Sequence, residues 1–287
     1  MSPRRLADAP APLLVVGAAF SVQGGAALAT SAFDVAGPLG FVWLRVAFAA
    51  LLLTALSARS FERVRSLPLG LVLATGASVA LMNACFYQAI DRIPLGSAVT
   101  VEFLGPLAVA VAGSRRALDF AWIALAGGGV ALLGSPGVDL DPVGLAFALA
   151  AAAGWASYIV LAKRLLAHSS VVSGLTATLL VAAVALAPLG IAQGGTALAD
   201  GRVLATGLAV AVLGSVLPFV LGLVALRRVP TGTFGILQSL EPAVAAVVGA
   251  LALAQVPGAL EALAVVFVTV ASAGASASAR QAPPPEI

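Results

Sequence analysis

Long apolar runs alternate with short polar or charged breaks along the whole chain. Cutting at charges and at Pro/Gly breaks leaves ten apolar segments, near 13–33, 38–58, 68–90, 95–113, 119–135, 142–162, 170–190, 203–226, 231–253 and 258–278. A helix must supply ~20 apolar residues to cross a hydrocarbon layer ~30 Å thick, because it rises only ~1.5 Å per residue. Ten such spans take up about 200 residues of the 287, leaving nine short loops and two tails. The pattern predicts an all-α membrane protein of ten transmembrane helices with no soluble domain. Arg4 and Arg5 precede the first segment as they would a signal peptide. Its length and the nine segments behind it predict an uncleaved helix instead.

Composition closes off other classes. Hydrophobic residues make up 61% of the chain, charged residues 9%, and the mean hydropathy is +1.09. A soluble domain carries roughly 25% charged residues, so a soluble enzyme, a nucleic-acid binder and a disordered chain are all excluded. With one cysteine, Cys85, and one histidine, His168, neither an internal disulfide nor a Cys/His metal site is expected. Gly127–Gly129 lacks the Lys-Ser/Thr of a phosphate loop and reads as close helix packing. No cofactor is expected.

The position of the charges matters more than their net value of +3. If the N-terminus is inside and the spans alternate, the inner side holds Arg4, Arg5, Arg59, Arg63, Arg65, Arg115, Arg116, Lys163, Arg164, Arg227, Arg228 and Arg280. The outer loops hold only Arg92 and Arg202. This bias predicts a multi-pass protein of the plasma (inner) membrane with both termini cytoplasmic.

The chain also repeats itself. IPLGSAVTVEFLGPLAVAVAG (Ile93 to Gly113) aligns without gaps to VPTGTFGILQSLEPAVAAVVG (Val229 to Gly249), 136 residues later. Pro94 matches Pro230, Gly96 matches Gly232, and Pro106 matches Pro242. Asp91–Arg92 before the first copy is neutral, whereas Arg227–Arg228 before the second is doubly positive. With five spans per half the second half inserts upside down, which the charge change fits. Two inverted five-helix repeats are expected, over residues 1–138 and 139–287.

The strings YQAIDRIPLGSAVTVEFLGPLAVAVAGSRRALD and LRRVPTGTFGILQSLEPAVAAVVG resemble the drug/metabolite transporter superfamily, and within it the EamA family. They look most like its amino-acid exporters of the threonine/homoserine type. The resemblance implies two five-helix repeats and secondary export of a small polar metabolite. Many repeats of that family carry Glu just after their fourth helix. Here Ser114 or Arg115 stands in that region of the first half, and Gln255 in that of the second.

Three charges lie well inside spans: Glu102, Glu241 and Arg45. Ionisable groups at membrane depth face protein or water and mark pathways by default, although a carboxyl serving only to join helices is the competing reading. Pro106 removes the helical partner of the Glu102 carbonyl, and Pro242 that of the Gln238 carbonyl. Bare backbone at this depth survives only against protein or a cavity. The two kinked helices are therefore the expected transport site, with Gln238 and Glu241 sharing a face at i,i+3. Arg45 could receive a substrate carboxylate, pair with a glutamate, or snorkel outward. Trp155 and Asn83 are candidate cavity liners for which packing is an equal alternative, and Gln23 is a weaker one. Trp43, Tyr87, Trp122 and Tyr158 lie near span ends and read as interfacial belt residues.

The expected function is gradient-driven export of an amino acid through the lipid bilayer, with a proton exchanged at a glutamate. A drug or other metabolite carrier of the same superfamily is the alternative. An intramembrane enzyme would need deep histidines, paired aspartates or metal ligands, and no span contains a deep histidine or aspartate.

Overall fold

A computed structural model describes residues 9–56, 67–112 and 117–280. Arg4, Arg5, Arg59, Arg63, Arg65, Ser114, Arg115 and Arg116, which carried much of the orientation and family reading, lie outside the described residues. Among the described residues the chain is helical, with no strand.

The helices are α1 (Ala11–Thr30), α2 (Phe33–Leu56), α3 (Leu69–Ile90), α4 (Leu95–Glu102), α5 (Leu104–Ala112), α6 (Ala117–Leu133), α7 (Pro142–Leu166) and α8 (Val171–Gly194). After a 3₁₀ turn come α9 (Gly201–Ala211), a π turn (Val212–Val216), α10 (Leu217–Leu226), α11 (Thr231–Gln238), α12 (Glu241–Leu253) and α13 (Ala259–Arg280). Among the described residues, nine stretches are long and apolar enough to cross a membrane, with α4–α5, α9–α10 and α11–α12 each counted as one. The fifth predicted segment forms an apolar helix that is shorter, Leu118–Leu133. Leu13, Leu51, Val184 and Leu251 stand exposed on the outside of the bundle, an arrangement suited to lipid rather than water.

Local chemistry sets the helix ends. Asp141, Ser170 and Asp200 each accept a backbone N–H from the first turn of α7, α8 and α9, satisfying donors that a helix start leaves orphaned. Pro94 and Pro230 occupy the same place before α4 and α11, with φ/ψ of −54°/142° and −56°/145°. The repeated proline thus produces a repeated backbone. Gly37 breaks the start of α2 at φ 69°. A side chain there would collide with Gln193, whose Oε1 accepts the Leu39 N–H at 2.6 Å.

Small residues bring the helices together. Lipid provides no apolar driving force between helices, so close van der Waals packing must hold them. Gly129 lies against Ala264, Phe267 and Val268 of α13, and Gly154 of α7 against Met82 of α3. The main packed pairs are α3 with α7, α2 with α8, α6 with α13, α3 with α8 and α1 with α10. Each joins a helix before residue 138 to one after it.

The belt reading of Tyr87 is corrected. Tyr87 is fully buried against Phe33 and Phe86. Trp43 packs over Gly190 and Trp122 over Gly274, and Trp122 Nε1 donates to Ser278 Oγ at 3.2 Å. Tyr158 lines two further cavities. Proximity to a span end says how deep a side chain sits. Which way it faces is decided by the neighbouring helix.

Candidate functional site

Both spans predicted to kink are interrupted. α4 ends at Glu102 and α5 begins at Leu104, while α11 ends at Gln238 and α12 begins at Glu241. Pro106 and Pro242 each lie four residues past the last helical residue, where the missing N–H and the ring release the carbonyl. Glu102 and Gln238 are equivalent under the 136-residue repeat, and each is the last residue of a half-helix.

These breaks face a single central cavity of about 260 Å³. Glu102, Glu241, Gln238, Asn83, Trp155 and Arg45 all line it. They come from α2, α3, α4, α7, α11 and α12, so helices from both halves of the chain contribute. Glu102 is buried. Glu241 accepts from Gln23 Nε2 at 3.1 Å, and Gln238 remains exposed to the cavity although the turn at Ser239–Leu240 separates it from Glu241. Asn83 spends Nδ2 on the carbonyl of Val79, one turn back, at 2.9 Å. Trp155 meets Phe103 edge-on, with ring centroids 5.1 Å apart.

Arg45 does not snorkel. Its Nη2 donates to the Gly214 carbonyl at 2.7 Å and its Nε to Ser215 Oγ at 3.1 Å. The guanidinium also lies 5.6 Å from the centre of the Tyr87 ring. It forms an ion pair with neither Glu102 nor Glu241.

Gln23 is more central than its sequence context suggested. It is buried, and its Oε1 has no hydrogen-bond partner. Phe86, Met82 and Phe234 supply apolar wall that sequence reading did not single out, because nothing in a run of apolar residues marks the one that faces a cavity. The π turn was also missed. Its signal was present as Gly214–Ser215 followed by Pro218, a proline placed to displace the carbonyl of Gly214.

Two smaller cavities share walls with the central one. One shares Trp155 and Gln238 and runs along α5 past Pro106 to Ala110. The other shares Arg45, Met82, Asn83 and Gly214 and reaches Leu53, and Tyr158 links it to a further pocket beside Leu165 and Val171. Both lead away from the start of α4. There, the Leu95 N–H donates to Gln255 Oε1 at 2.9 Å and Ser97 Oγ to Glu261 Oε1 at 3.3 Å. Gln255 therefore caps the start of α4. His168 lies apart from the cavity, with its Nδ1 3.1 Å from the carbonyl of Arg164.

Residues 142–277 match the model of the EamA-like transporter family. The threonine/homoserine exporter RhtA of Salmonella typhimurium (strain LT2) is 41% identical over 279 residues, covering 95% of this chain and 93% of that protein. RhtA of Escherichia coli (strain K12) is 41% identical over 278 residues, covering 95% and 92%. One solved crystal structure superposes with a TM-score of 0.66 over 94% of this chain and 98% of its own, at 19% identity. At that identity the likeness speaks for the fold alone.

Proposed function

Since the chain belongs to the EamA-like transporter family, we propose that it exports a small amino acid of the threonine/homoserine kind across the plasma (inner) membrane, exchanging it for a proton. The observation that carries this reading is the convergence of Glu102, Glu241, Gln238, Asn83, Trp155 and Arg45 on one cavity. Its acidic side, completed by the unpartnered Gln23 Oε1, offers acceptors to an ammonium group. One of its carboxyls takes up and releases the proton. A volume of about 260 Å³ lies below the roughly 300–1,000 Å³ of drug-sized pockets, which favours a small metabolite over a drug.

We further propose ten spans in two inverted repeats, residues 1–138 and 139–287, with both termini cytoplasmic. The packed pairs support this. Shifting every span by five places turns the α3–α7 pair into the α10–α1 pair, and leaves α2–α8 and α6–α13 paired as before. The family match over 142–277 falls within the second repeat. One repeat rocks against the other around the cavity, loading from inside and releasing outside.

A panel of radiolabelled amino acids in proteoliposomes, with and without a pH gradient, tests the reading. L-threonine and L-homoserine should be carried in a saturable way, faster with the gradient. Transport of drugs or sugar phosphates with no amino-acid transport would overturn it.

A further inference from the structure

We infer that Arg45 is the residue that receives the substrate carboxylate, and that Pro218 is a positioning residue that holds it in place. This deepens the export reading above and rests on it. Pro218 has no amide hydrogen, and its ring excludes the carbonyl four residues back. That carbonyl belongs to Gly214, in the π turn Val212–Val216. Released from the helix, it accepts Arg45 Nη2 at 2.7 Å, while Ser215 Oγ accepts Nε at 3.1 Å and Tyr87 Oη accepts Nη1 at 3.4 Å. A Cβ on Gly214 would stand 3.1 Å from Arg45 Nε, so the glycine lets the guanidinium lie close to the backbone. π turns of this kind concentrate at functional sites.

A guanidinium has five N–H groups, and these contacts use three. Two remain, the number that a bidentate carboxylate takes. Among the described residues no carboxylate forms an ion pair with it, although Arg45 lines the same cavity as Glu102 and Glu241. The cavity thus holds a cation and two acids with no direct ion pair between them. A zwitterion bridges such a site, its ammonium toward Glu241, Glu102 and Gln23 Oε1 and its carboxylate toward Arg45. An arginine serving only to balance the two acids would be indifferent to whether the bound molecule has a carboxylate.

Titrating the thermal stability of the purified protein with L-threonine and with L-threoninol separates these roles. L-threoninol keeps the ammonium and side chain but has a hydroxymethyl group in place of the carboxylate. A ligand that binds the folded state raises the melting temperature according to its affinity. Wild type should prefer L-threonine. Arg45→Gln should weaken L-threonine by about ten- to a hundredfold, the range of a lost hydrogen bond to charge, and leave L-threoninol unchanged, so that the preference vanishes. Pro218→Ala keeps Arg45 but returns a helical donor to Gly214, and should reduce the preference part of the way. An unchanged preference in Arg45→Gln, or equal weakening of both ligands, overturns the inference. If Arg45→Gln does not accumulate, Pro218→Ala decides by the same ratio. Wild type that binds neither ligand overturns the export reading, and the inference with it.

Discussion

Arg45 of α2 and the Gly214 carbonyl of the π turn are 2.7 Å apart, a charge-assisted bond from the first half of the chain to the second at membrane depth. The other side of the same turn is equally tight. A Cβ on Gly25 of α1 would come 2.8 Å from Gly214 N, and Ser21 Oγ of α1 donates to the Leu213 carbonyl at 2.6 Å. One turn of backbone is therefore clamped between α1 and α2.

Gly25→Ala should force α1 away from this turn. Overpacking of this kind costs about 1–3 kcal/mol, and should appear as a lower melting temperature and slower transport. Gly24→Ala is the control, since nothing stands within 4 Å of a Cβ there. Equal behaviour of the two variants in a thermal scan would contradict the clamp.

Glu241→Gln preserves shape and can still accept from Gln23 Nε2, as the wild-type carboxylate does at 3.1 Å. It cannot release a proton. In inside-out vesicles, uptake of labelled L-threonine driven by a pH gradient should disappear, while exchange of labelled for unlabelled L-threonine should persist. Loss of both activities would show that the negative charge of Glu241, and not only its acceptor oxygens, is needed to hold the substrate ammonium. Retention of both would move the proton site to Glu102, the other cavity acid.

Gln255→Ala removes the acceptor of the Leu95 N–H. Loss of a cap costs roughly 1 kcal/mol, enough to raise the opening frequency at that end about fivefold. With Cys85→Ala as background, a cysteine at Ser97 should react faster with an impermeant thiol reagent when Gln255 is also alanine. Gln255→Glu should restore slow labelling, because a carboxylate accepts the same N–H.

Orientation has its own check. In the same Cys85→Ala background, a cysteine at Asp139 should be labelled in intact cells by an impermeant reagent, and one at Ser66 should be spared. The opposite pattern would invert the assignment of sides and remove the charge basis of the inverted repeat.

The long apolar runs and two prolines sufficed to place most of the helices and the breaks after Glu102 and Gln238. Pro106 and Pro242 act on carbonyls four residues away in the same chain, a local effect that requires no tertiary contact. The α4–α5 and α11–α12 interruptions follow from that alone. The rarity of deep charges likewise singled out Glu102, Glu241 and Arg45, because the cost of burying a charge in lipid is paid residue by residue. What a sequence cannot carry is azimuth. In a helix that is apolar all round, no polar face tells Tyr87 to turn inward to Arg45, or Gln23 to reach Glu241 across 218 positions of chain. Those directions came from which glycine met which backbone: Gly25 on Gly214, and Gly154 on Met82. Close packing between small residues depends on the shapes of two helices together, so only the assembled bundle could decide that six dispersed side chains share one cavity.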